Sequence, residues 1–525
     1  MEVFDEELAQ YGIFAKSGKL VTKDNKKILK KEHKIIIDRV EIEEINFQKL
    51  QAEGIKEICI FRSEIKYLYF LEKNTIKIDF KVCNFKNHII ARKAYFENEV
   101  IFEQCIFDAV VDFSKTKFDS RIDFVASVFK EEVRFIGAQF SAEQSDNKTI
   151  ENNFREVIFE GKTIFDNATF QARVCFALSQ FKDEVRFIRT QFLAKQSSNR
   201  KIIENEFRET IFKGKVTFGS LVLKARISFS FSTFKDETLF LNINPNNCIF
   251  RNVEFNKTKF ACKTLTNVIF CLFQYSVFKD ALSFEGMEFE RLEFDNVLFN
   301  GVVTFSNTKL NAKPQFINCT FSNQFNIEHK YIEYNFNEIK NTQEYDKLLN
   351  YRDLFRKLKS NRIAHHNLID ASELRTQELY ARELELKYQE NKSLKEKIER
   401  WQLVFYRKLC DHHTDLLLNA KWLLYIVALY VLLLGKMIWV YPVLIIIFLA
   451  SIYLCKIKNI WLNLSSITVL IAIVCCPKMI FGFTNLFTEK LNCWQNLITT
   501  VYVVVIGLVL FSLQKTARKN SIVPS

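Results

Sequence analysis

VIFEQCIFDAVVDFSKTKFDSRIDFVASVFKEEVRFIGAQF, residues 100–140, sets phenylalanine at 102, 107, 113, 118, 124, 129, 135 and 140, in steps alternating between five and six. Neither regular element keeps that spacing on one face. On an α-helix, at about 100° per residue, the two steps rotate by about 140° and about 240°, giving two separated stripes instead of one seam. On a flat strand a step of five changes face and a step of six does not. A chain that turns a corner every five or six residues resolves both. Each short segment points its central residue inward, and the residue two before it follows. Those preceding residues are Val100, Cys105, Val111, Thr116, Ile122, Ser127, Val133 and Ala138, all apolar or small, while Glu103, Asp108, Lys115, Asp119 and Lys130 flank them. The spacing predicts a four-sided solenoid with 22 residues per coil. Phe102, Phe113, Phe124 and Phe135 should then alternate between two opposite walls, with Phe107, Phe118, Phe129 and Phe140 on the other two.

FDNATF (165–170), VEFNKTKF (253–260) and FDNVLFNGVVTF (294–305) repeat the pattern of a central Phe with a smaller residue two before it. In this the sequence resembles the pentapeptide-repeat family, which implies a right-handed quadrilateral β-helix. It departs from the family pattern in its frequent sixth residue and in using Phe almost throughout. With 12 Gly in 525 residues, tight corners should come from Asn, Asp and Lys. The pattern continues through Phe159, Phe165, Phe170, Phe176, Phe181, Phe187 and Phe192, and through Phe207, Phe212, Phe218, Leu223, Phe229, Phe234 and Phe240. A run of fives follows at Phe250, Phe255, Phe260, Leu265 and Phe270, and a last run spans Phe284 to Phe321. Weaker five-step spacing at Ile60, Ile65, Phe70, Phe80, Phe85 and Ile90 precedes them. The reading is an all-β solenoid of roughly ten coils, or a rod of about 50 Å at the ~4.8 Å strand spacing. An α-helical linker and an α-helical transmembrane bundle should follow.

A duplication is laid over the repeat. KEEVRFIGAQF (130–140) returns as KDEVRFIRTQF (182–192), and NFREVIFEGK (153–162) as EFRETIFKGK (206–215). Polar insertions separate the halves of each copy, SAEQSDNKTIENN (141–153) and LAKQSSNRKIIENE (193–206). Eight steps separate Phe140 from Phe192, so both insertions should leave one side of the rod, two coils apart. Polar protrusions on one face of a solenoid are frequent binding elements. Strand edges at both ends need caps, and residues 1–57 are assigned to the first, with the solenoid at 58–325.

After 325 the period becomes helical. Leu348, Tyr351, Leu354, Phe355 and Leu358, then Leu374, Leu379, Leu384 and Leu386, recur at helix spacing in a charged linker, 326–413. Asp370 or Ser372 could cap its second helix. The region 414–525 holds four apolar runs, 420–435, 437–454, 460–476 and 497–513, close to bilayer length. Trp422, Trp439, Trp461 and Trp494 lie at their ends, as interfacial anchors do. Four spans as two hairpins is the reading, with three as the alternative. Arg400, Arg407, Lys408, Lys421, Lys456, Lys458, Lys515, Arg518 and Lys519 would then share one side, against Lys436, Lys478 and Lys490 on the other. That bias predicts a multi-pass integral membrane protein with the rod and both termini in the cytoplasm, the inner membrane if the cell is bacterial. An acidic start without an apolar core is not a secretory signal.

The net charge of +13 dissolves when it is divided along the chain: residues 96–325 carry 29 Lys+Arg against 29 Asp+Glu, and 414–525 carry 9 against 2. The excess sits beside apolar segments, so nucleic acid is not expected as a partner. Some pentapeptide-repeat proteins mimic DNA through an acidic surface; a neutral rod does not inherit that role. Thirteen Cys without CxxC pairs suggest a reducing compartment, and Cys105, Cys175 and Cys319 read as small inward residues. His365–His366 and the CDHHTD cluster (Cys410, Asp411, His412, His413, Asp415) invite a metal reading. Neighbours on a helix diverge by about 100° and zinc needs four ligands, so they are read as juxtamembrane polar residues. GxGxxG, P-loop, HExxH and GxSxG motifs are absent. No catalytic, cofactor or metal residue is assigned, and an enzyme is not expected. The expected partners are the lipid bilayer and a protein bound by the rod, with a homo-oligomer left open. A regulatory domain on a small channel or transporter is the alternative, though a TVGYG-type filter and charges in the middle of the apolar runs are missing.

Overall fold

A computed structural model describes residues 6–15, 29–31, 33–142, 151–194, 204–262, 269–342, 344–434, 460–475, 480 and 492–517. The chain forms two units, Met1–Ile332 and Glu333–Ser525.

The first unit is a β-solenoid of about twelve coils. Around one coil the chain visits four sheets in turn, at Val100–Glu103, Ile106–Phe107, Val111–Asp112 and Lys117–Phe118, here called the first to fourth faces. Among the described residues these sheets have 15, 14, 10 and 7 strands, respectively. Pairing is parallel and in register at the 22-residue step: Val100 lies beside Ile122, Ile106 beside Val128, Val111 beside Val133 and Lys117 beside Gln139. Each predicted wall is therefore a stack. Phe102 and Phe124 stack at 5.3 Å, Phe107 and Phe129 at 4.4 Å, Phe113 and Phe135 at 5.5 Å, and Phe118 and Phe140 at 5.4 Å. Rings on neighbouring walls meet edge to face, as Phe102 and Phe107 do, the arrangement a ring quadrupole prefers.

All eight residues two before these rings are buried as well. Small polar ones among them find a carbonyl in the preceding coil. Ser127 Oγ donates to Phe102 O at 2.7 Å and accepts from Cys105 N–H at 2.9 Å, and Thr116 Oγ1 donates to Ala91 O at 2.6 Å. Cys105 and Cys319 use the same device through sulfur. Cys175 does not: it precedes Phe176 directly, and Val174 takes the inward position.

Corners account for the uneven step. In each five-step the residue two after the ring is left-handed, at Gln104 (φ 53°), Lys115 (φ 60°), Ala126 (φ 55°) and Gly137 (φ 66°). Ser127 N–H closes the tight turn onto Phe124 O at 3.1 Å, and a six-step needs no such residue. The left-handed N–H also bonds the next coil, as Lys115 does to Ile136 O at 2.7 Å. This coil-to-coil bonding offsets the roughly 1–2 kcal/mol that a non-Gly residue forfeits there.

The structure departs from the expectations above at several places. Parallel pairing begins with Lys34–Asp38 beside Glu57–Phe61, so coils extend into the segment assigned to the cap. Capping itself is done by Ile13–Ala15 and Leu29–Lys31, which pair antiparallel on the first strands, and by helix Phe47–Ala52, which buries Phe47 and Leu50. Ile90 is exposed, because Ile89 and Ala91 take the inward positions. Phe270 is also exposed, and Phe273 carries the stack, 4.9 Å from Phe250; within one strand, alternation overrides a run of fives. Leu265 lies outside the described residues. Glu151–Asn153 and Glu204–Glu206 belong to the first face, and Phe154 stacks on Phe124 at 5.4 Å. Both insertions are thus shorter than assigned, and most of each lies outside the described residues. Phe140, Phe170 and Phe192 are stacked on the fourth face, which puts the two departures at one corner, two coils apart. At the far end Phe325 packs on Phe321 and Tyr331 on Phe305, so the solenoid unit extends past 325.

After a short helix at Phe336–Lys340, the second unit forms α1 (Tyr345–Ala364) and α2 (Leu368–Tyr388), an antiparallel hairpin. Asn367 caps α2, accepting from Asp370 N–H, in place of the expected Asp370 or Ser372. Then come α3 (Leu394–Cys410), α4 (Leu416–Leu433), α5 (Ile460–Cys475) and α6 (Cys493–Ala517). Among the described residues α4 and α6 are long and apolar enough to cross a membrane, and α5 is a shorter apolar helix. The expected span at 437–454 lies outside the described residues.

Candidate interaction surface

Corner residues of the solenoid form columns, because each left-handed N–H bonds the carbonyl just before its counterpart in the next coil. The column between the third and fourth faces reads Lys93, Lys115, Gly137, Asn167, Arg189, Ser220 and Asn242, all polar or glycine. The column between the first and second faces differs. There Leu178 N–H bonds Arg208 O, Glu209 bonds Ser230 O, Phe231 bonds Arg251 O, Asn252 bonds Gln274 O and Tyr275 bonds Asp295 O. In this stretch of the column, which begins at Arg39 and passes Val82 and Ala126, the stacked order is Leu178, Glu209, Phe231, Asn252, Tyr275.

Leu178 (φ 62°), Phe231 (φ 63°) and Tyr275 (φ 50°) are left-handed and exposed at 38%, 50% and 49%. A bulky side chain is rare in that conformation, and an exposed one gains no core contact to offset it. Successive members of the three sit two coils apart, about 10 Å at the strand spacing. Arg208 lies over the Phe231 ring at 5.4 Å and Arg251 over Tyr275 at 5.9 Å; nearby on the first face, Arg291 covers exposed Phe270 at 5.6 Å. These cations steady the rings without burying them. The result is an aromatic and apolar ridge with arginines beside it, the side chains that carry most binding energy at protein interfaces.

Elsewhere on the rod many charged side chains pair across coils. Lys86 pairs with Asp108 at 2.9 Å and Lys130 with the same carboxylate at 2.8 Å; Lys81 pairs with Glu103 at 2.7 Å and Lys215 with Glu237 at 2.7 Å. Each links neighbouring coils and is individually weak.

None of the motifs read from the sequence marks the ridge, yet the signal is present. In FAL (176–178), FSF (229–231) and FQY (273–275) a large apolar residue stands two after the ring, where the other corner carries polar residues or glycine.

In the second unit the two His pairs have separate fates. His365 and His366 are exposed in the turn between α1 and α2. Asp411, His412 and His413 form a left-handed turn (φ 48°, 53°, 71°) between α3 and α4. Cys410 and His413 come together, Sγ to Nδ1 3.5 Å, with Ser512 Oγ 3.1 Å from the sulfur and Asn419 Nδ2 donating to that hydroxyl at 3.0 Å. Asp411 is turned away to accept from Tyr380 Oη at 2.5 Å, and Asp415 caps α4. Among the described residues no three His, Cys, Asp or Glu side chains converge as metal ligands. Burial, with Arg407 nearby, lowers the His412 pKa to about 4; burial, with Lys515, lowers that of His413 to about 4. Both are neutral at pH 7. The cluster is a neutral polar knot joining α3, α4 and α6.

A cleft of about 400 Å³ between α1 and α2 is lined by Arg352, Arg356, Lys359, Arg375 and Arg382. Carboxylates hold most of these cations: Glu385 pairs with Arg352 at 2.6 Å and Arg382 at 2.7 Å, Glu378 with Lys359 at 2.6 Å, and Glu399 receives two bonds from Arg382. Arg352–Glu385 and Lys359–Glu378 join the two helices of the hairpin, and Arg382–Glu399 fastens it to α3.

A family model described as pentapeptide repeats (9 copies) matches residues 102–143, under a tenth of the chain. Together with the solenoid it supports the repeat family. No curated protein and no solved structure gives a significant match.

Proposed function

We propose that this chain is a membrane-anchored interaction scaffold, whose solenoid captures a protein partner along the ridge of Leu178, Phe231 and Tyr275. The observation that carries the reading is the ridge itself. Three bulky side chains occupy backbone positions that oppose them, remain exposed, and recur at a two-coil interval. Their partial exposure in a strained conformation costs the fold, which supports a benefit outside the folded chain. The insertion corner adds a second partner-facing element at a different edge. Anchoring is supported by α4 and α6, apolar along their length and largely exposed. A multi-pass topology with both termini in the cytoplasm belongs to the same proposal and follows from the lysine and arginine bias.

The test is capture from native membranes by full-length protein. Replacing Leu178, Phe231 and Tyr275 together with Asn, a residue at home in the left-handed region, should abolish capture while membrane extraction behaviour stays unchanged. Deletion of 143–150 and 195–203 should weaken it. Partner recovery equal to wild type with the triple variant would remove the ridge from the account. Ion flux through reconstituted full-length protein would favour the channel reading instead.

A further inference from the structure

α3 presents an apolar face that nothing described in the chain covers. Leu394, Ile398 and Trp401 are exposed at 74%, 51% and 68%, and the Trp401 ring stacks on half-buried Phe405 at 5.7 Å. At about 100° per residue these four lie within roughly 60° of arc. The lysines of the helix border them, Lys395 on one flank and Lys397 and Lys408 on the other, all exposed. Its acids are turned to the far side and engaged. Glu396 closes the capping box with Ser393, and Glu399 binds Arg382 of α2; Arg407, also on that side, binds Glu383 at 2.8 and 3.0 Å. The inner face of α3 is thus fixed to the hairpin, and its outer face is apolar with a cationic border.

That exposed face continues into the first anchoring helix. The Trp422 indole donates to Lys408 O at 2.8 Å, and Leu416, Leu417 and Trp422 are exposed at 46%, 74% and 39%. We propose that α3 lies in the plane of an anionic lipid surface, with Leu394, Ile398, Trp401 and Phe405 sunk to the depth of the headgroups and the first acyl carbons. Lys395, Lys397 and Lys408 then meet lipid phosphates. An amphipathic helix with an apolar face and lysines at its margins suits this position, and a tryptophan belongs at that depth. The inference rests on the anchoring reading. It goes further by making α3 a second lipid contact and by setting the sign of the lipid charge.

The experiment uses full-length protein reconstituted into phosphatidylcholine vesicles, with and without phosphatidylglycerol, whose acyl chains are brominated either near the glycerol or near the methyl end. Subtracting the emission of Trp401→Phe from that of wild type isolates Trp401. Its emission should fall at least about twofold more with the shallow bromines than with the deep ones. Replacing Lys395, Lys397 and Lys408 with Glu should remove the extra quenching that phosphatidylglycerol produces. Ile398→Asp, which leaves the inner face intact, should lift Trp401 out of reach of the bromine. Trp401 emission unaffected by bromine while the remaining tryptophans are quenched would overturn the proposal, whether water, a second copy or the solenoid covers the face. Full quenching with no dependence on lipid charge would overturn the anionic assignment. Release of the protein by alkaline carbonate with no tryptophan quenched would sink the anchoring reading and this inference together, a pattern distinct from the other two.

Discussion

At the scale of single residues, the solenoid is set by what stands two before and two after each ring. Ser127 bonds two backbone groups of neighbouring coils from a fully buried site. Ser127→Ala should therefore destabilise the unit by about 2 kcal/mol, since two buried polar groups lose their partner. Phe124→Ala removes a ring stacked on both neighbours at 5.3 and 5.4 Å, and should destabilise by about 3–5 kcal/mol. Val82 presents the opposite case. It is β-branched, left-handed at φ 58° and exposed at 51%, so Val82→Gly should stabilise by about 1 kcal/mol as strain is relieved. Urea midpoints of the three variants check all of these, and a Val82→Gly midpoint below wild type would refute the corner account.

At the scale of elements, legibility followed periodicity. The alternation of five and six carried enough information to place every ring from Phe102 to Phe140 on its wall, because each step crosses one corner. The five-step runs failed at Ile90, where Ile89 and Ala91 take the inward positions, and at Phe270, where the six-residue strand Ile269–Gln274 imposes its own period of two. The insertions were overextended because Asn152 and Asn205 look like loop residues, although both are buried on the first face. In the helical unit, the Cys410–His413 approach depends on a left-handed turn and on α6, about a hundred residues away in sequence, which no local pattern reveals. That turn has a consequence for pH. The pKa of His412 and His413 falls from 6.5 to about 4 on folding, so the unfolded chain binds more protons between those values. The neutral imidazoles' contribution is intact above about pH 6.5 and is lost as pH falls toward 4, on the order of 2 kcal/mol for each after solvent screening. Melting of detergent-solubilised protein at pH 7 and pH 4.5 should show the loss, and His412→Gln with His413→Asn should flatten it.

At the scale of the molecule, stacked rings and coil-to-coil ion pairs account for the solenoid, and α4 and α6 are long and apolar enough to cross a membrane. What stays outside that account is the ridge. Its residues were the least legible part of the candidate site, since a large apolar side chain beside a Phe repeat reads as more core. The most direct measurement is site-specific photo-cross-linking in native membranes, with the cross-linker placed at Phe231 or Tyr275 and, as controls, at Asn167 or Asn242 in the other corner column. A scaffold working through the ridge predicts the same discrete protein adduct from 231 and 275 and none from 167 and 242. Adducts from all four positions alike, or from the control corner alone, would contradict it.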